Sequence, residues 1–104
     1  METVSLTAQL GRWQGDRGTY HLVVIAGEEA EQIALHARIH RLEFGARRGF
    51  GSVRVAARIG ASLWNTSVFP QQKQSEWVLL VSKKLMQAEN LAAGDELTVE
   101  LELL

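Results

Sequence analysis

Apolar residues fall at every second position in three stretches of the chain. This is the spacing of a β-strand that has one buried face and one solvated face. The alternation covers residues 4–10, residues 52–59 and residues 97–103, and in the last stretch Glu100 and Glu102 occupy polar positions. The pattern therefore predicts three strands that cover a common core.

Three further extended segments are predicted without regular alternation. Residues 20–25 form a run rich in β-branched side chains, which predicts a strand buried on both faces. We expect it to pair as a hairpin with the first strand, across a turn around Trp13 that several glycines mark. Residues 62–67 form another strand, which should end before Pro70, and residues 76–82 form the next.

Helical spacing replaces alternation in two segments. From about residue 28 to about residue 40, alanine and isoleucine recur on one stripe, with glutamates early and arginines late, as the helix dipole favours. Two interpretations of its far end remain open, because Ile39, Leu42 and Phe44 fit either a longer helix or the start of an extended segment. Residues 83 to about 91 predict a second, short helix.

Six strands and two short helices within 104 residues predict a single mainly β domain over residues 1–104, a small closed or half-closed β-barrel, in preference to a parallel α/β sheet. Hydrophobic residues make up 46% of the chain, which suffices for one core. There is no cysteine, no leader pattern and no apolar run of about 18 residues, so we expect a soluble cytoplasmic protein that does not enter a membrane. The net charge of -1 gives no overall electrostatic support for nucleic-acid binding.

A glycine-rich turn with two arginines is the first candidate binding feature. Glycines let backbone amides approach an anion, and guanidinium groups supply paired donors. Two lysines open the second predicted helix, where a bound anion would offset their charge. The alternative is a solvated turn, which the missing lysine-serine ending of a phosphate loop favours. The candidate anion or ligand site comprises Arg47, Arg48, Gly49, Gly51, Ser52, Lys83 and Lys84.

A group of aromatic and hydroxyl side chains is the second candidate. Large aromatic residues in strands belong more often to the core, and hydroxyls beside a turn more often satisfy local hydrogen bonds. The candidate pocket lining is Trp64, Thr66, Ser67, Phe69 and Trp77.

The histidines offer little chemistry at the level of sequence. His36 and His40 are four residues apart on a predicted helix, a spacing that allows two imidazoles to share a metal ion, but no third ligand stands at a matching position. His21 is isolated within a strand. No nucleophile elbow or acid pair stands out either. We therefore predict no metal site, no cofactor and no enzymatic activity.

Several strings recur in a characteristic order. They are RGFGSVRV at residues 48–55, IG at 59–60, WNTSVFP at 64–70, VSKK at 81–84, and the Gly94-Asp95 pair before the final strand. Over nearly the whole chain they resemble the small β-barrel family catalogued as domain of unknown function 1905 (DUF1905). The resemblance implies a split barrel distantly similar to the DNA-binding barrels of antitoxins and transition-state regulators. It implies no activity.

Three hypotheses for function follow. The leading one is a non-catalytic ligand-binding or interaction module, whose partner is a small anion, a protein or a second copy of the chain. The second is a DNA-binding barrel that uses Arg54 and Arg58 on one strand face. The third is a metal protein or enzyme that uses His36 and His40.

Overall fold

The computed structural model describes residues 2–44 and 51–104. This part of the chain forms seven strands, two α-helices and one turn of 3₁₀ helix at Gln72–Gln74. In chain order the elements are β1 Thr3–Gln9, β2 Gly11–Gly15, β3 Gly18–Ile25, α1 Gly27–Phe44, β4 Val53–Ile59, β5 Ser62–Gln71, β6 Glu76–Val81, α2 Lys83–Ala88 and β7 Glu96–Leu103.

All seven strands belong to one antiparallel sheet in the order β1-β7-β4-β5-β6-β3-β2. The two edge strands, β1 and β2, are consecutive in the chain and only Leu10 separates them. A sheet whose opposite edges are joined by one residue has to curl until the edges approach each other. The backbone of Leu10 also exchanges hydrogen bonds with Gly94 and Asp95, both at 2.8 Å. The result is a curled half-barrel, which confirms the mainly β, split-barrel prediction.

The core fills the concave inner face of this sheet. Alternate residues of each strand point inward, as the predicted alternation requires, and Val55, Val99 and Leu101 are completely buried. Helix α1 covers part of the concave face with Ala30 and Ile33, which are also completely buried. Partly buried side chains of α2 and the segment after it close another part of the core.

The structure adds a seventh strand, β2, to the six that the sequence predicts. Its residues include two glycines and three exposed side chains, a composition typical of a turn. It is extended because β3 offers it a free edge, with Trp13 opposite Tyr20. The predicted hairpin between the first strand and residues 20–25 is wrong, since β1 pairs with β7 and β3 pairs with β2 and β6.

Strand β5 continues through Pro70 instead of ending before it. Proline has no N–H group and is tolerated where a strand has a free side. Strand β4 pairs with β5 only as far as Val68, so at Pro70 the single paired neighbour is β6, through Trp77. The loss of one donor therefore leaves no gap in the hydrogen bonding.

Helix α1 continues to Phe44, which resolves the open end of the first predicted helix in favour of the longer one. Its last turns carry a second apolar stripe opposite the core, where Leu35, Ile39 and Leu42 are exposed. Helix α2 is shorter than predicted and ends at Ala88. No helix in residues 2–44 or 51–104 has the length and apolar character needed to cross a membrane.

The convex outer face of the sheet has two unlike halves. Strands β1 and β7 present only polar and charged side chains, and β4 presents two arginines on either side of Ala56. Strand β3 presents apolar side chains, and β6 presents Val78 and Leu80 after Glu76 at its start. Residues 20–25 are therefore not buried on both faces as predicted, since Tyr20 is 39% and Val24 42% exposed. We name the exposed apolar area the outer patch; its members are Trp13, Tyr20, Leu22, Val24, Val78 and Leu80.

Candidate functional site

An open groove of about 340 Å³ lies between strand β3 and helix α2. This volume falls at the lower end of the range found for small-molecule sites. Two of its lining residues are basic or imidazole side chains, two are amides and two are apolar. The lining comprises His21, Lys83, Met86, Gln87, Asn90 and Leu91.

Strand β3 places His21 on the inner face of the sheet, at the rim of the core. His21 is half-buried, and Val81, which lies opposite it on β6, is buried. Neither of the His21 ring nitrogens has a hydrogen-bond partner among the described residues, and the side chain lines the groove. Arg12 lies directly opposite His21 on β2, with side chains on the same face and Cβ atoms about 5 Å apart. Arg12 is therefore a cross-strand neighbour of His21, although it does not itself line the groove.

Helix α2 begins where β6 ends, and its start is capped by Ser82. The Ser82 hydroxyl oxygen accepts a hydrogen bond from the backbone N–H of Leu85 at 3.1 Å. The helical spacing then brings Lys83, Met86 and Gln87 to one side, three and four residues apart. This side faces His21 and forms one wall of the groove.

The far end of α2 is closed by a Schellman motif centred on Asn90, which has φ 55°. The N–H of Leu91 donates to the Met86 carbonyl at 2.8 Å, and the N–H of Asn90 donates to the Gln87 carbonyl at 3.3 Å. This reversal ends the helix before Leu91, where the sequence prediction placed its end, and brings Leu91 back beside Met86. The two side chains form the apolar part of the groove.

Glu89 ties the end of α2 to the turn between β4 and β5. Its carboxylate accepts a hydrogen bond of 2.6 Å from the Ser62 hydroxyl and one of 3.3 Å from the N–H of Ala61. Gly60 has φ 59°, and a Cβ atom there would overlap Glu89 Oε1. The glycine therefore allows the carboxylate to lie against the turn, which holds the short helix in place.

The structure separates the two parts of the predicted anion site. Lys83 lines the groove and Lys84 is exposed next to it, after the end of β6. Ser52 precedes β4, and Gly51 lies beside Pro70, which pairs with the start of β6. At about 3.3 Å per residue, the two parts are roughly 20 Å apart. The remaining members, Arg47, Arg48 and Gly49, lie outside the described residues.

The five residues of the predicted pocket lining lie on both faces of the sheet. Trp77 is completely buried in the core, and Trp64 and Thr66 also face inward. Ser67 and Phe69 lie on the outer face, and Ser67 accepts a hydrogen bond of 3.3 Å from Arg54 Nη1. The structure therefore does not bring these five side chains together around one cavity.

His36 and His40 are neighbours on α1, with ring centroids 6.2 Å apart. His36 also lies between the two ends of the chain. Its Nδ1 is 3.3 Å from the carboxylate of Glu2, and its Nε2 is 3.2 Å from the carbonyl oxygen of Leu104. The residues that the structure describes contain no group of three His, Cys, Asp or Glu side chains that could hold a metal ion.

The arginines considered for DNA binding lie on the outer face of β4. Arg58 is directly opposite Glu100, and Glu102 is opposite the position between Arg54 and Arg58. This area therefore carries acids as well as bases, which does not favour contact with a phosphate backbone. Lys83 and Lys84 lie elsewhere, on α2.

Sequence reasoning identified Lys83 but none of the other groove residues as a site. Met86 and Leu91 occur in the sequence as ordinary apolar positions, and Gln87 as a polar one. The one local signal was Asn90, because asparagine accepts a positive φ and so can end a helix. His21 joins the groove only through the pairing of β3 with β6.

Comparison of the sequence with known proteins shows which family the chain belongs to. No curated protein matches it. The model of the family described as domain of unknown function (DUF1905) matches residues 7–101 of the 104 residues. The match covers every strand at least in part and includes the groove. The chain therefore belongs to the DUF1905 family, whose function is unknown.

Proposed function

We propose that this domain is a non-catalytic binding module, and that its groove takes a small ligand with an anionic group and an apolar part. The observation that carries the proposal is the composition of the groove, in which His21 and Lys83 lie beside the amides of Gln87 and Asn90. Lysine and protonated imidazole donate hydrogen bonds to anions, and amide N–H₂ groups add neutral donors. Such a set recognises carboxylate or phosphate oxygens.

The apolar wall supports the second half of the proposal. Met86 and Leu91 line the groove next to the polar donors. Burial of one methylene group contributes about 0.8 kcal/mol, so a short hydrocarbon tail against this wall would add to the affinity. Methionine adapts its shape to different ligands because it is unbranched. The groove therefore suits an anion with a short aliphatic or aromatic tail better than a bare inorganic ion.

Titration of the isotopically labelled protein with inorganic phosphate and with straight-chain carboxylates from acetate to octanoate tests this proposal. We expect backbone amide shifts centred on His21, Lys83 and Asn90 in the nuclear magnetic resonance spectrum. The affinity should increase about two- to fourfold for each methylene that the apolar wall covers. Lys83→Gln should weaken binding about tenfold, because it removes a charge-assisted hydrogen bond.

Lys84→Gln is the matched control, since it removes the same charge from the next residue of the helix, which does not line the groove. It should leave the affinity within about twofold, as expected of a solvent-exposed charge that makes no direct contact with a ligand in the groove. Equal losses from the two variants, or shifts that avoid the groove, would contradict the proposal. So would a carboxylate affinity that is independent of tail length.

We also propose a cytoplasmic location, which the absence of cysteine from the sequence supports. Fractionation of cells that express the chain at its natural level, followed by detection in the cytosolic and envelope fractions, tests this location. Recovery in the envelope fraction would contradict it.

A further inference from the structure

We propose that the outer patch is the surface through which two copies of this chain associate about a two-fold axis. This association is independent of ligand binding in the groove, because the patch lies on the convex face of the sheet and His21 lies on the concave face.

The outer patch is continuous across three strands. Trp13 on β2 is opposite Tyr20 on β3, and two residues further along β3, Leu22 is opposite Leu80 on β6. Val24 is opposite Val78 in the same way. Cross-strand neighbours of this kind have Cβ atoms about 5 Å apart, so no polar side chain separates these pairs.

Trp13 is exposed and yet held in position. Its indole ring stacks on the ring of Tyr20, with centroids 5.6 Å apart and an angle of 29° between the planes. The ring also lies against Gly15, where an added Cβ atom would come within 2.7 Å of the indole. An aromatic side chain that is 57% exposed and already ordered loses little entropy on binding, which makes it an effective anchor of an interface.

The sequence of β3 and β6 is that of strands covered on both faces. Apolar residues run without interruption from Leu22 to Ile25 and from Trp77 to Val81. Such runs are typical of strands whose second face is also buried. Within the described part of one copy, the second face is uncovered: Val24 and Leu80 are 42% and 43% exposed. A partner completes the burial that the pattern indicates.

The chemistry of the patch favours a second copy as that partner. None of its six side chains is charged, so a partner that placed charges on it would lose their hydration without compensation. The patch itself is apolar and free of charge, and a two-fold axis makes it its own complement. Its exposed apolar surface is roughly 400 Å² per copy. With its rim, this is close to the minimum of about 500 Å² per partner for a biological interface, so the expected dimer is weak and reversible.

Sedimentation velocity over a concentration series tests the proposal with four charge variants. The wild-type chain should show a reversible monomer–dimer equilibrium. Trp13→Glu and Leu80→Glu should raise its dissociation constant by at least about tenfold, because each buries a carboxylate in the interface. Leu63→Glu and Leu42→Glu are matched controls and should leave the constant unchanged. Leu63 is 61% exposed on the same outer face, opposite Arg58 and far along β5 from the patch, and Leu42 is 79% exposed on α1.

Gly15→Ala adds a variant that keeps every apolar side chain of the patch. It should raise the dissociation constant by displacing the Trp13 ring, while urea unfolding shows that the domain remains folded. A wild-type chain that stays monomeric up to millimolar concentration would overturn the proposal, whether or not it binds another protein. Loss of the dimer in Leu42→Glu or Leu63→Glu, or growth beyond dimers with concentration, would overturn it as well.

Discussion

The two halves of the outer sheet face share one backbone arrangement and differ in chemistry. Strands β1, β7 and β4 present mainly threonine, serine, glutamate and arginine outward, whereas β2, β3 and β6 carry the outer patch. Both halves pack the same kind of inner face, with every inward residue of β7 buried. The polar half shows that strands of this sheet can leave their outer face exposed to solvent. The polar half needs no apolar outer side chains, so we attribute the apolar character of the other half to the proposed association of two copies.

The strongest way to test this comparison is to substitute adjacent residues of β6. Leu79 faces inward and is completely buried, and Leu80 faces outward and is 43% exposed. We expect Leu79→Ala to lower the free energy of unfolding by about 2–5 kcal/mol, because it leaves a cavity in the core. Leu80→Ala should cost less than about 1 kcal/mol in the monomer.

Urea unfolding at low protein concentration measures both values, since dilution removes any contribution from association. Comparable losses at the two positions would show that the outer patch contributes to the fold itself. The contrast between the two halves would then have a structural cause.

The turn between β4 and β5 lies where the two halves meet, and Gly60→Ala tests how closely it is packed. Alanine at φ 59° costs about 1–2 kcal/mol, and its Cβ atom would displace the Glu89 carboxylate from Ser62 and Ala61. We expect a total loss of about 2–3 kcal/mol in unfolding free energy.

The double variant Gly60→Ala, Glu89→Ala separates these two causes. With the carboxylate already absent, the glycine substitution should cost only its backbone term of about 1–2 kcal/mol. Strict additivity of the two single variants would show that Glu89 does not restrict this turn.

The smallest effect is expected in the polar half, at the cross-strand pair of Arg58 and Glu100. Arg58→Glu places two carboxylates directly opposite each other and should cost about 0.5–1 kcal/mol. The charge reversal Arg58→Glu, Glu100→Arg should recover most of that loss, more completely at low salt. Thermal unfolding at two ionic strengths measures this recovery of stability. A double variant that is no more stable than Arg58→Glu would show that the pair does not interact.

The parts of the fold that could be predicted are those in which one local pattern suffices. The alternation of β7 places Leu97, Val99, Leu101 and Leu103 in the core, as the structure shows. Strand β2 could not be found in this way, because its conformation depends on pairing with β3 and not on its own composition. Proline also has a low propensity for strands, which is why the sequence predicts that the strand ends before Pro70. Strand β5 continues because at Pro70 it pairs with only one neighbouring strand.

The candidate site was only partly accessible to sequence reasoning. Lys83 stood out because cations at the start of a helix are unusual. Its separation from Gly51 depends on the length and direction of β6, which no spacing in the sequence reveals. His21 carried no signal of its own, since its place beside α2 follows from the register that pairs it with Val81.

The sequence by itself determined the mainly β class, the inward side chains of the alternating strands, the start of α1 and the membership of the DUF1905 family. These follow from period-two and helical patterns and from local strings, which act over a few residues. The tertiary structure alone decided the strand order, the curling through Leu10, the groove beside His21 and the exposure of the outer patch. Each of these depends on which distant strands pair, and the free energy of that pairing belongs to the whole sheet.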